Sequence, residues 1–194
     1  MLPLLFLDVD GPLIPFGGPG PYPAYAPAPP ADAHPLLHRV DPAHGRRLTA
    51  LGCTPVWATT WTDEANDVLA PRLGLAPLPV VHWPEEDEGE GEDEDLRAGV
   101  GGGPGAAADP GARTGRPGAG PVGLHWKTRP LAAWAAGRPY VWLDDEITEA
   151  DQAWAAARHP APALLHRVDP RTGLTDADYA VVAAWVAEYG ARRR

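Results

Sequence analysis

Cysteine is nearly absent from this chain, which has a single one, Cys53, among 194 residues. One cysteine cannot form an internal disulfide, and it lacks the CxxC partner of a thiolate zinc site. Long hydrophobic runs are absent as well. The first apolar stretch has no basic region before it and is far too short for a signal peptide or a membrane span. We therefore expect a cytoplasmic protein without disulfides, thiolate metals or membrane contact.

Positive charge is also scarce, with 16 lysines and arginines against 26 aspartates and glutamates. Nine carboxylates lie within the eleven residues 85–95, and without this run the net charge of -10 nearly vanishes. Apart from the arginines at 192–194, the sequence shows no basic stripe. This charge pattern excludes extended binding of duplex nucleic acid but is compatible with a short phosphorylated end.

Short apolar segments alternate with helical ones along the chain, which predicts an α/β domain with a mainly parallel sheet. We expect one domain over 1–194, a Rossmann-like three-layer sandwich with about five strands. Glycine and proline punctuate the segments and mark their ends. The first predicted strand is the apolar run that begins at Leu4 and stops at Asp8, and the others are 54–61, 78–83, 139–143 and 163–168. The predicted helices are 42–51, 63–73, 129–136, 149–157 and 176–189.

Two stretches have the composition of loops. Residues 15–30 are rich in proline and glycine, which leaves little scope for a helix or a central strand. Residues 85–120 are acidic at first and then rich in glycine and proline, and they cannot bury enough apolar surface to offset their ordering entropy. We expect a loop at the first stretch and a disordered insertion at the second.

Polar side chains follow the predicted strands at the positions where ligands bind in parallel sheets. An apolar run stops at two carboxylates one residue apart, a second strand ends in hydroxyls, and a fourth ends in an acidic pair. A single lysine lies at a predicted helix start between them. These residues are Asp8 and Asp10, Thr59 and Thr60, Lys127, and Asp144 and Asp145.

Each of these residues also has an ordinary structural interpretation. Aspartates occur in solvated turns, threonine favours strands, and adjacent aspartates can cap the following helix. Lys127 could be a solvated residue at a helix start, although a lysine there opposes the positive end of the helix dipole. Glu146 is interpreted as solvated. The four signals together, in sequence order on strand ends, favour a functional site.

These motifs resemble the haloacid dehalogenase-like superfamily. Its first motif is an apolar strand into Asp-x-Asp-Gly, its second a strand-ending Ser or Thr, its third a Lys and its fourth an acidic pair. The matching segments are 4–11, 56–59, 127 and 141–145, so they extend over nearly the whole ordered chain. The finer patterns Trp-Ala-Thr-Thr-Trp and Trp-Leu-Asp-Asp-Glu are similar to the small capless domains of this superfamily in Swiss Army Knife RNA-repair proteins.

The resemblance implies a phosphatase that works through an aspartyl-phosphate. Asp8 would be the nucleophile, and Asp10 would protonate the leaving oxygen and then deprotonate the hydrolytic water. Thr59 would bind the phosphoryl group; Thr60 is the alternative, since neighbouring strand residues face opposite sides. Lys127 would supply positive charge to the phosphate and to Asp8.

The resemblance also implies a Mg²⁺ site, with Asp8, Asp10, Asp144 and Asp145 as ligands. Mg²⁺ suits an all-oxygen site that keeps several waters. The dehalogenase branch lacks an acid at the position of Asp10, so this residue favours phosphoryl transfer. Pro12 departs from the usual Thr or Val after Asp-x-Asp-Gly, which affects the adjacent turn but removes no catalytic atom.

Neither irregular stretch has the composition of a folded cap domain, so we expect a site open to a bulky substrate. Trp61 and Trp126 flank proposed site residues and could stack on a base or ring, although core packing explains either tryptophan alone. The expected substrate is a phosphorylated small molecule or a nucleic-acid end. The alternative function is a non-catalytic interaction protein of the same fold whose acidic insertion binds a basic partner.

Overall fold

The computed structural model describes residues 2–26, 34–83 and 123–192. Within them, four strands form one sheet in which every neighbouring pair is parallel, in the order β2, β1, β3, β4. The strands are β1 (Leu4–Leu7), β2 (Thr54–Trp57), β3 (Tyr140–Asp144) and β4 (Ala163–Arg167). The predicted α/β class and parallel sheet are therefore confirmed.

Within the described residues, five α-helices connect and follow these strands, each close to its predicted bounds, and a short 3-10 helix (Leu37–Arg39) precedes the first of them. Their ends agree with simple local rules, since α2 ends at Gly74 in a left-handed conformation and α5 begins at a capping box of Thr175 and Asp178. The helices are α1 (Ala43–Ala50), α2 (Glu64–Leu73), α3 (Thr128–Ala135), α4 (Glu149–Arg158) and α5 (Asp176–Ala191).

The two faces of the sheet bury separate apolar clusters, as expected for a parallel sheet covered on both sides. All four residues of β1 are fully buried and alternate between the faces. Leu5 and Leu7 belong to a cluster that includes residues of α1, α2 and α5, whereas Leu4 and Phe6 pack in a cluster with residues of α3 and α4. The result is a three-layer sandwich.

The strand order places a change of direction beside β1. The chain passes from β1 to β2 on one side of it, and β3 then enters the sheet on the other side. In parallel sheets, the crevice beyond the carboxyl ends of two such strands is where ligands bind. Asp8 directly follows β1 and Asp144 is the last residue of β3, so both lie at this crevice.

One of the five predicted strands, 78–83, forms only a single bridge. Val80 pairs in parallel with Trp57 of β2, and two backbone hydrogen bonds, from Trp57 to Pro79 and from Val81 to Trp57, make the contact. Pro79 lacks an N–H group and cannot donate to β2, and the Leu78 N–H donates to Asn66 Oδ1 instead, so the pairing does not extend to the residues before Val80.

The predicted loop is a loop over its described part, since residues 15–26 contain neither helix nor strand. The rest of that loop, as well as the predicted acidic and glycine-rich insertion at 85–120, lies outside the described residues. A search of the described helices finds none with the length and apolar character needed to cross a membrane.

The contact between α1 and α2 depends on Gly45. A Cβ atom on this glycine would lie 1.7 Å from the carbonyl oxygen of Leu73. We expect Gly45→Ala to lower the free energy of unfolding by about 3 kcal/mol, because the helices would have to separate. Gly190→Ala is the matched control, since no heavy atom lies within 4 Å of that position. Equal urea midpoints for the two variants would contradict this prediction.

Candidate active site

Three carboxylates lie together beyond the carboxyl ends of β1 and β3. One oxygen atom from each of Asp8, Asp144 and Asp145 lies within 4.8 Å of the others. Asp8 and Asp144 are buried, and Asp145 is half-buried. Gly11 makes the close approach possible: it has a φ of +82°, and a Cβ there would lie 2.6 Å from the Asp145 Cγ atom. The Gly of the first motif is therefore required by the site.

Lys127 provides the positive charge of this cluster. Its Nζ atom lies 2.8 Å from Asp8 Oδ2 and 2.9 Å from Asp144 Oδ2, and the residue is only 3 % exposed. The cluster thus contains three carboxylates and one ammonium group, all within a mostly buried space. Burial lowers the pKa of Lys127, but the two carboxylates raise it above its ordinary value. The ammonium group therefore stays charged.

The carboxylates differ in how well they are stabilised. Burial opposes the ionisation of Asp144, but Lys127 and the backbone N–H of Glu146 hold the pKa of Asp144 below its ordinary value. Burial raises the pKa of Asp8, although the charge of Lys127 opposes this effect. Burial and the charge of Asp144 together raise the pKa of Asp145 to about 6. Negative charge exceeds what one lysine can balance.

This donor set fits a hard divalent cation. Three converging carboxylate oxygens are the ligands that Mg²⁺ prefers, and a dication would relieve the excess of negative charge. Asp10, the fourth predicted ligand, has no carboxylate oxygen in this group. Its Oδ2 accepts a hydrogen bond from Trp61 Nε1 at 2.9 Å. The residues that could hold the ion with their side chains are Asp8, Asp144 and Asp145.

A second group of potential ligands, His125, Asp144 and Glu146, is less suited to a metal ion. The Lys127 backbone N–H donates to His125 Nδ1 at 3.1 Å, so the proton of the neutral ring lies on Nε2. That nitrogen lies 3.0 Å from Glu146 Oε2 and donates to it. Both ring nitrogens are therefore in use. Glu146 is exposed, as predicted for a solvated residue, but it also has this partner.

Thr59 and Thr60, the two threonines that follow β2, lie in different environments. Thr59 is fully buried, and its Oγ1 accepts a hydrogen bond from the Trp61 backbone N–H at 3.3 Å, whereas Thr60 is exposed. The Thr59 hydroxyl proton is not needed for that bond, which leaves it free to donate. The carbonyl oxygen of Thr59 accepts from Trp83 Nε1 at 3.0 Å.

Three indole rings lie close to residues of the site. Trp83 and Trp126 meet edge to face, with ring centroids 4.7 Å apart, and Lys127 Nζ lies 5.9 Å and 5.5 Å from their respective centroids. Trp61, which contacts Asp10, is half-buried against the core. Trp126 is also half-buried, so a face available for stacking and a role in packing are both compatible with its position.

Asp151 at the start of α4 is a supporting residue that the sequence analysis missed. This fully buried carboxylate accepts hydrogen bonds from the His125 backbone at 2.8 Å, from Thr128 Oγ1 at 2.5 Å and from the Thr148 backbone at 2.8 Å. It thus joins the starts of α3 and α4 and fixes the backbone on both sides of Lys127. The pattern Thr148-x-x-Asp151, a capping box with Asp in place of Glu, was the available signal.

Comparison of the whole chain with models of protein families, with curated proteins and with solved structures finds no match. The residues of the chain itself therefore carry the information about its function. The site brings together Asp8, Lys127 and the adjacent pair Asp144 and Asp145, which come from three separate segments of the sequence. Asp10 and Thr59 border this group and are joined through Trp61.

Removal of the Lys127 charge should destabilise the fold. We expect Lys127→Met to lose about 3 to 5 kcal/mol of unfolding free energy at neutral pH, because Asp8 and Asp144 would remain as uncompensated buried charges. Without the ammonium group their pKa values rise in the folded state, so the folded variant binds more protons and regains stability as the pH falls. Urea unfolding without divalent cations between pH 5 and 8 measures this. A loss that does not shrink on acidification would contradict the prediction.

Divalent cation should stabilise the protein through the three carboxylates. At a Mg²⁺ concentration of 100 times its Kd, the expected gain is about 2.7 kcal/mol, which thermal unfolding would report as a higher Tm. Asp145→Asn keeps the shape of the side chain and leaves the contacts of Lys127 with Asp8 and Asp144 intact, but it removes one charged ligand. Most of the gain in stability should therefore disappear. Glu149→Gln, an exposed change on α4, serves as the control. An equal Tm shift in both variants would exclude Asp145 from the metal site.

Proposed function

We propose that this protein is a Mg²⁺-dependent phosphatase of the haloacid dehalogenase-like type, which hydrolyses phosphoric monoesters. The observation that carries the proposal is the convergence of Asp8, Asp144, Asp145 and Lys127 at the direction change of a parallel sheet. Carboxylates at these two strand ends, with a buried lysine between them, suit the binding of a metal and a phosphoryl group. The four sequence motifs in order support the same assignment.

Phosphate monoesters repel nucleophiles through their own negative charge, so the site has to neutralise the phosphoryl oxygens and align the reacting groups. Bound Mg²⁺, held by Asp8, Asp144 and Asp145, would supply part of this neutralisation. Lys127 supplies a further positive charge that is already in place. The Thr59 hydroxyl, two residues after β2, would donate to a phosphoryl oxygen, because the hydrogen bond that it accepts from the Trp61 backbone N–H does not use its proton.

Asp8 is the proposed nucleophile. Its Oδ1 accepts from the Val9 backbone N–H at 2.8 Å and its Oδ2 contacts Lys127, so the carboxylate has a fixed orientation. Attack by one of its oxygens on phosphorus forms an aspartyl-phosphate and releases the alcohol of the substrate, and water then hydrolyses the acyl phosphate. Asp10 is the proposed proton donor to the alcohol and the proton acceptor from that water.

Hydrolysis of a generic aryl phosphate tests the proposal. With Mg²⁺ present, we expect the wild type to release phosphate and Asp8→Asn to lose at least about 10³-fold in kcat, because the amide is no nucleophile. Asp67→Asn, an exposed change on α2, is the matched control and should keep full activity. A wild type that is inactive on every phosphoester and metal tested would overturn the assignment.

A substrate panel then separates the expected substrate classes. Phosphorylated metabolites should be compared with oligonucleotides that carry a 3′- or a 5′-phosphate, at equal concentration and with Asp8→Asn as the blank. Activity limited to the oligonucleotides would favour a nucleic-acid end, and activity limited to the metabolites would favour a small molecule.

A further inference from the structure

Trp61 contacts Asp10, the proposed proton donor, although the proposed reaction gives no role to the indole ring. Its indole Nε1–H donates a hydrogen bond to Asp10 Oδ2 at 2.9 Å, across 51 residues of sequence. The two residues lie on different loops, one after β1 and one after β2. This bond is therefore a tertiary contact at the edge of the site.

The indole is itself held in place from three directions. The Trp61 backbone N–H donates to Thr59 Oγ1 at 3.3 Å, and the ring meets the His34 ring edge to face with centroids 4.9 Å apart. The rest of the ring packs on the apolar cluster shared by the helices α1, α2 and α5. Because three separate contacts hold the indole in place, its N–H can act as a fixed hydrogen-bond donor.

The backbone of Asp10 is also fixed, but among the described residues its side chain accepts a hydrogen bond from Trp61 alone. Asp10 pairs with Ile14, and the Gly11 N–H donates to the Ile14 carbonyl at 3.1 Å, which closes a tight loop. The ammonium group of Lys127 contacts Asp8 and Asp144 instead. The orientation of the Asp10 carboxylate thus depends on the indole N–H.

We propose that Trp61 is a positioning residue that holds Asp10 for proton transfer. The indole binds Oδ2, which leaves Oδ1 as the atom that carries the proton. In the first step, Oδ1 gives this proton to the leaving oxygen as the bond between phosphorus and that oxygen breaks. In the second step, Oδ1 takes a proton from the water that attacks the aspartyl-phosphate. This role rests on the proposed phosphatase function.

The contact can be tested without any activity by NMR of ¹⁵N-labelled indole groups. Trp61→Phe identifies the Trp61 resonance as the one that disappears. We expect Asp10→Asn to move this Nε1–H resonance upfield, because a neutral amide is a weaker acceptor than a carboxylate. Glu149→Gln removes a charge at an exposed position of α4, far from Asp10 and Trp61 in sequence, and should leave it in place. An unmoved resonance in Asp10→Asn would overturn the proposal.

The catalytic role is tested with a series of phosphate esters whose leaving groups differ in pKa. Poor leaving groups such as alkyl alcohols need a proton more than nitrophenol does. We therefore expect Trp61→Phe to lose about ten- to a hundredfold in kcat on alkyl phosphates and several-fold less on 4-nitrophenyl phosphate. Trp134→Phe, a change of the same kind at an exposed position of α3, should alter neither value.

A uniform loss across the series, or a change in KM alone, would overturn the positioning role and indicate that the ring stacks on substrate or packs the core. Inactivity of the wild type on every ester would overturn the phosphatase function and, with it, the role in proton transfer. The indole resonance would still report whether the contact exists, so the two failures can be told apart.

Discussion

The contact of the Lys127 ammonium group with Asp8 and Asp144 is the interaction on which the site depends. Lys127 is the only lysine of the chain, which has fifteen arginines. Its compact ammonium can lie between two carboxylates in a buried space, whereas a planar guanidinium would need far more room. The contact joins the start of α3 to the ends of β1 and β3, so the fold and the site rely on the same charge. A buried cluster with one cation and three carboxylates remains negatively charged, and this excess is the strongest argument for a bound dication.

The sequence predicted the fold well where local chemistry decides the outcome. Apolar strands that end in polar residues identified the four strands, and turn residues placed the helix ends within a few residues. The prediction of a strand over 78–83 was wrong, since the stretch forms only one bridge, at Val80. Its apolar composition favoured a strand, but Pro79 has no N–H group to donate to the ladder. Hydrophobicity predicts burial in such a segment, but hydrogen-bonding capacity decides whether it can join a ladder.

Parts of the candidate site could not be predicted because they depend on contacts between distant loops. Nothing local to Trp61 indicates that its indole N–H reaches Asp10, so stacking and packing were the alternatives considered. Asp151 was missed for a related reason: its capping role is local, but its bonds to Thr128 and to the His125 backbone depend on how α3 and α4 meet. Sequence spacing predicts which residues end strands. It does not predict which side chains fix those residues in place.

The different partners of Asp8 and Asp10 give a physical basis for their different proposed roles. Asp8 lies against the Lys127 ammonium group, which opposes the rise in the Asp8 pKa that burial causes and holds the carboxylate in one orientation, as a nucleophile requires. Among the described residues, Asp10 accepts a side-chain hydrogen bond on Oδ2 alone, from the neutral indole N–H of Trp61. Its other oxygen has no such partner there and is available to exchange a proton with the leaving group and with water. Two carboxylates one residue apart would compete for the same task if they shared the same partner. The separation of lysine from indole therefore supports a division of labour between attack and proton transfer.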